Sequence, residues 1–229
     1  MTTYRQKQEE VFNKIEKAND QSDIASFVKP VADFSGDNRL CLTGVIFLPC
    51  EITYKIQEEI IAPLKKSDTE HYFYSPESLH LTIQNVRVIH DPPKFNSDAI
   101  EKAKEVFEQV VPRHTAVRFN LQGIFKAPTS IGIKGFCGEE IKELVFDLRT
   151  ELKKAGIPDD KKYVSKDVII GNTTVCRFTS KPNQEFWKKY KKIKDTETGA
   201  FDAKTVSLIK TNAGCHPGKT EIIASYQLQ

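Results

Sequence analysis

Long apolar runs are missing from this 229-residue chain. No stretch approaches the roughly 18 apolar residues that a membrane helix needs, and the opening MTTYRQKQEE lacks the apolar core of a secretory signal. The expectation is a soluble, cytoplasmic protein with no membrane partner. Cysteine is sparse as well. Five are present, at 41, 50, 137, 176 and 215, with no CxxC or other close ligand spacing, so neither a disulfide framework nor a metal site is indicated. A reducing compartment fits, and there the sequon Asn172, Thr173, Thr174 would meet no glycosylation machinery. A dominant charge is lacking too. Thirty-four basic against 31 acidic side chains leave +3, well short of the bias that marks a strong polyanion-binding surface.

What is present is ordinary globular composition, 39% hydrophobic and 28% charged, with length enough for one large domain or two small lobes. Val11, Phe12, Ile15 and Ala18 stand at helical spacing, and a second short helix is expected after Ser22, using Ile24, Phe27, Val28 and Val31. Residues 1–37 therefore read as a helical N-terminal extension, able to recruit a protein partner through its apolar stripe. After the break at DFSGDN, the run RLCLTGVIFLP suits a central strand. Residues 52–64 place Ile52, Ile56, Ile60 and Leu64 four apart, as a helix covering a sheet would.

The stretch SPESLHLTIQNV, residues 75–86, carries a strand alternation that sends Leu79, Leu81 and Ile83 to a core and Ser78, His80, Thr82 and Gln84 to a wetter face. A helix over IEKAKEVFEQVV, strands over TAVRFNLQGIF and SIGIKGF, a helix over residues 139–155 and an extended run DVIIGNTTVCRF come next. Strands KTVSLIKT and EIIASYQLQ close the chain around the turn NAGCHPGK. That turn resembles the tail of a phosphate-binding P-loop, but Ala213 stands where the first glycine is required and a strand follows instead of a helix. The order strand, helix, strand occurs twice without literal repetition, which points to two similar α+β lobes with a cleft between them as the default ligand site.

SLHLT resembles the first His-x-Thr motif of the 2H phosphoesterase superfamily, which includes RNA 2',3'-cyclic phosphodiesterases, 2'-5' RNA ligase-like proteins and cyclic nucleotide phosphodiesterases. The resemblance includes Arg39, Leu40 and the FLP at 47–49, then Pro76, Glu77, Leu79, His80 and Thr82, and extends over residues 38–229 as a single bilobal domain. It implies two antiparallel β-sheet lobes with outer helices around a central cleft, and two His-x-Thr motifs facing each other without metal or cofactor. In such a site one imidazole acts as base, the other protonates the leaving oxygen, and the hydroxyls hold phosphate oxygens.

The second motif departs from that pattern. In GNTTVCRF, Asn172 takes the histidine position and Thr174 the threonine position, and a side-chain amide carries no proton that exchanges near neutral pH. The resemblance assigns His80, Thr82 and Thr174 to catalysis, and Asn172, Tyr74 and Arg177 to substrate contact. It implies a ligand that is a nucleotide or RNA terminus with a 2',3'-cyclic or 2',5'-linked phosphate. If the chain is an enzyme, it is a metal-independent cyclic phosphodiesterase with an incomplete proton-transfer pair. The other reading is a non-catalytic nucleotide- or RNA-binding module. Candidates to replace the missing proton carrier are His71, His90 and His216. The Tyr72, Phe73, Tyr74 run offers aromatic faces to a base, and KKYKKIK at 188–194 interleaves lysines with Tyr190 as a polynucleotide backbone would favour.

Overall fold

The structure, a computed structural model, describes residues 2–18, 25 and 27–229. β-branched and apolar residues make β1 (Leu40–Phe47) a strand buried through its middle, and it pairs antiparallel with β3 (His80–His90) on one side and β8 (Thr205–Thr211) on the other. With β9 (Glu221–Gln227) the first sheet runs β3-β1-β8-β9. The second sheet runs β2-β6-β5-β4-β7, from β2 (Tyr72–Phe73), β4 (Val117–Ala127), β5 (Ser130–Cys137), β6 (Gly171–Arg177) and β7 (Glu197–Ala203). All pairings are antiparallel. This is the expected α+β fold of two sheets with outer helices.

Each sheet is covered by helices. α4 (Ser97–Val110) and α5 (Ile141–Lys154) pack together and lie on the first sheet. The fit is close at Gly44 of β1, where the Phe107 ring of α4 fills the space a side chain would need. The expected helix over 52–64 is longer and interrupted: α2 (Cys50–Ile56) passes through a π-helical turn (Gln57–Ile61) into α3 (Ala62–Ser67). Pro63 lacks an N–H and its ring collides with the carbonyl one turn back, which the wider turn relieves. This rod contacts the second sheet, and α6 (Gln184–Ile193) packs against its α3 end. Neither α6 nor β7 was indicated by periodicity: α6 buries only Phe186 among lysines, and β7 opens on Glu, Thr and Gly.

At the N-terminus, α1 (Tyr4–Lys17) forms behind a Thr3–Gln6 capping box. The second helix does not follow as expected. Residues 27–31 are irregular, with Pro30 among them, and Ser22 and Ile24 lie outside the described residues. The stripe of α1 is not left for a partner either. Val11, Phe12 and Ile15 are buried with Phe125, Ala127 and Phe136 of β4 and β5. Among the described residues no helix is long and apolar enough to cross a membrane.

Candidate functional site

β3 and β6, one from each sheet, come within 8 Å of each other Cα to Cα. On β3, Leu81 and Ile83 enter the core while His80 and Thr82 stay half-buried, as alternation requires. Ser78 belongs to a short 3-10 turn ahead of the strand. Gln84 departs from the wet face expected of it: it is fully buried, held by the Asp159 carboxylate at 2.6 Å and by Arg149 Nε at 3.1 Å. On β6, Asn172 and Thr174 pair with Lys134 and Gly132 of β5 and are half-buried. His80, Thr82, Asn172 and Thr174 all line one cavity of about 360 Å³, a volume within the range of small-ligand sites.

A β-bulge decides what else reaches this cavity. Ile131 pairs with Cys176 but Gly132 with Thr174, so Val175 is the extra residue. An extra residue reverses the facing of the strand positions beyond it. Cys176, which plain strand alternation would put on the side of Asn172, is therefore buried in the core. Arg177, on the opposite parity by simple counting, instead lines the cavity. Its Nε donates to the Tyr74 hydroxyl at 2.8 Å and to Ala213 O at 2.7 Å. Tyr74 borders the same cavity but is 2% exposed, with its hydroxyl donating to Ala213 O at 2.7 Å. Its work is to hold Arg177, and it offers no open ring face to a base.

His80 Nδ1 lies 2.8 Å from the Ser78 carbonyl, which can only accept, so the proton sits on that nitrogen. The ring also meets the thiol of Cys215, in the turn between β8 and β9. Burial works against the charged ring, but the Cys215 sulfur and the Ser78 carbonyl outweigh it and hold the His80 pKa above the ordinary imidazole value. The converse holds for Cys215: burial opposes its thiolate, yet His80 and the Thr220 and Thr211 hydroxyls bring its pKa below the usual thiol range. Cys215 is also a non-glycine residue with φ of 45°, a left-handed conformation that costs a side-chain-bearing residue some strain.

The remaining polar lining comes from residues that motif reading passed over. Arg149 of α5 stacks 4.2 Å over the Tyr163 ring, and Lys161 follows in the loop after that helix. Asp159 is already engaged by Gln84, by the Tyr163 hydroxyl at 2.5 Å and by the Lys161 backbone N–H. Burial draws the Lys161 pKa below the ordinary ammonium range, and Arg177 and Arg149 push the same way against Asp159. Arg149, Lys161, Lys162 and Arg177 all line the cavity, and no Asp or Glu does so among the described residues. In a chain of net charge +3 that is a local concentration of positive charge, and low-dielectric walls focus its field. The sequence signal was the run DDKKY at 159–163, which sits after a helix end and so reads as a turn.

The three histidines considered as replacement proton carriers are elsewhere. His71 is packed against Phe178 and Phe186, and burial lowers its pKa. His90 is exposed and bonds Pro92 O, while His216 caps a 3-10 turn by accepting from Gly218 N. None of them lines the cavity, and neither does any residue of the basic run 188–194. No cluster of three His, Cys, Asp or Glu suited to a metal occurs among the described residues.

No protein-family model matches the sequence, and no curated protein matches it. Solved structures do match. TT0787 of Thermus thermophilus superposes with a TM-score of 0.60 at 14% identity, covering 82% of this chain and 97% of that one. A chain described as a phosphoesterase gives 0.56 at 13% identity, over 82% and 98% of the two chains. LigT of E. coli, complexed with 3'-AMP, gives 0.53 at 14% identity, over 84% and 99%. Identities this low show a shared fold, and it is the bilobal fold that the SLHLT resemblance implied. In each case nearly the whole of the other chain is used while part of this one is left over.

Proposed function

We propose, from a fold shared with LigT and a cavity walled by two half-motifs, that this protein binds nucleotide or RNA ends through a 2',3'-cyclic or 2',5'-linked phosphate. The carrying observation is that His80 and Thr82 from one sheet and Asn172 and Thr174 from the other line one cavity with Arg149, Lys161 and Arg177 and, among the described residues, without a carboxylate. LigT has been crystallised with 3'-AMP, ATP, NADP+ and phosphate, ligands that share phosphate chemistry. Here the threonine hydroxyls and the Asn172 amide donate to phosphate oxygens, and the guanidinium groups neutralise charge. His80, held protonated above the ordinary imidazole range, supplies one mobile proton.

That single proton sets the chemistry. A positioned acid or base contributes about 10² to 10⁴-fold, and the position opposite His80 holds an amide instead. Recognition is expected to be strong and metal-independent hydrolysis slow. A non-catalytic binding module is the second reading, and Asn172 is what favours it. Calorimetric titration with adenosine 2',3'-cyclic monophosphate, alongside chromatographic turnover by the same protein, by His80→Ala and by Asn172→His, separates the two. Binding lost in His80→Ala with turnover raised at least about tenfold in Asn172→His supports a phosphodiesterase site. Equal background turnover in all three proteins leaves the binding module standing, and absence of binding ends both readings.

A further inference from the structure

An apolar part of the cavity wall is made by the N-terminal segment. Helix α1 crosses the cleft-facing side of the second sheet, where Phe12 is fully buried between Phe125 at 5.1 Å and Phe136 at 5.6 Å, ring centroid to centroid. Polar contacts fix it there. The Tyr4 hydroxyl accepts from Ile169 N at 2.9 Å and donates to Ile169 O at 3.1 Å, and Gln8 Nε2 donates to the same carbonyl at 2.8 Å. Lys134 pairs with Glu9 at 2.7 Å and reaches Glu16 at 3.9 Å. Lys134 is the ladder partner of Asn172, so the helix runs one strand away from the second half-motif.

The chain beyond α1 crosses to the first sheet. Val28 O accepts from Thr129 Oγ1 at 3.1 Å, Lys29 O from Arg39 at 3.2 Å, and Phe34 O from Asn212 Nδ2 at 2.8 Å. The Phe34 ring is 1% exposed and lies 5.8 Å from Tyr72. The segment is thus fastened to both sides of the cleft. Val11, Ile15, Phe27 and Val28 line the cavity, and Val164 and Val168 of the loop before β6 join them. Among the described residues this side offers apolar surface and no cation.

A nucleic-acid strand continuing away from a bound phosphate carries a charge at every nucleotide and is held by cationic grooves with stacking rings. Among the described residues the apolar wall, with Phe27 as its half-buried ring, provides no cation for a second phosphate. The lysines that would suit such a strand are on α6, outside the cavity. We infer that the N-terminal segment makes this a one-nucleotide pocket, selective for a small nucleoside phosphoester whose base or ribose lies on the wall of α1 and residues 27–28, and closed to a longer strand. The inference rests on the phosphate-site reading above and narrows its ligand class.

The test uses the full chain with adenosine 3'-monophosphate and oligoadenylates of two, four and six residues bearing the same 3'-phosphate, each titrated by calorimetry. The mononucleotide should bind best, with affinity falling at least tenfold on adding the second residue. Phe27→Ala, which opens the wall at a half-buried position, should weaken the mononucleotide and shrink the length penalty below threefold. Phe12→Ala should do the same where circular dichroism shows it folded, and Phe27→Ala alone decides the matter where it does not. Oligomers that bind as tightly as the mononucleotide overturn the one-nucleotide pocket and leave the phosphate site intact, as does a penalty unchanged in Phe27→Ala. Failure of every length to bind overturns the phosphate site and the pocket together.

Discussion

His80 shows how much of a site can hang on one ring. Its Nδ1 is spent on the Ser78 carbonyl and its charge is favoured by the neighbouring Cys215 sulfur. The sign follows from the raised pKa: the ring keeps its proton at and above the ordinary value of about 6.5, and attraction for an anion fades as pH rises through the raised value. A cyclic phosphodiester keeps a constant single charge over that range, so titrating adenosine 2',3'-cyclic monophosphate at successive pH values isolates the protein's contribution. Affinity should drop as pH climbs above the ordinary imidazole range, and His80→Ala should flatten the profile. A wild-type profile already flat would place the imidazolium away from the anion. His80, Thr82, Asn172 and Thr174 were legible because strand alternation and a short motif are local. Arg177 was named only through the family resemblance, because the bulge at Val175 changes parity without a mark in the residue pattern. Arg149 and Lys161 were not legible, because a helix and a loop distant in sequence bring them to the cavity.

Among the elements, those with a full stripe declared themselves. α1, α4 and α5 each repeat apolar residues at helical spacing and bury them. α6 did not, because one buried phenylalanine gives no period, and β7 did not, because its first half carries no β-favouring run. The close packing of α4 on β1 has a measurable consequence. A methyl group added at Gly44 would stand 2.7 Å from Phe107 Cζ, in a core that also holds the Leu42 and Ile46 side chains. Gly44→Ala should cost about 1–3 kcal/mol through overpacking, read as a lower urea midpoint at unchanged slope. An unchanged midpoint would mean that the ring moves aside freely.

At the scale of the whole molecule the two-lobe order was readable, but the assignment of helices to lobes was not. The rod that follows β1 of the first sheet packs on the second, and α5, which follows β5 of the second sheet, packs beside α4 on the first. β8 and β9 then return to the first sheet after β7 completes the second. Such crossings depend on contacts far apart in sequence and leave no local pattern. They predict one cooperative urea transition, with tryptophan fluorescence at Trp187 in the second lobe coinciding with far-ultraviolet circular dichroism of the whole chain. Two separated midpoints would show that the lobes stand alone.

The interleaving of helices also bears on how the protein could be taken apart. A cut after residue 116 would strip the first sheet of β8 and β9 and the second of all but β2, while its helical rod kept no sheet to rest on. Neither fragment would own a complete lobe. A single transition would make the cleft a seam inside one cooperative unit, its width set by the chain crossings that join the two sheets.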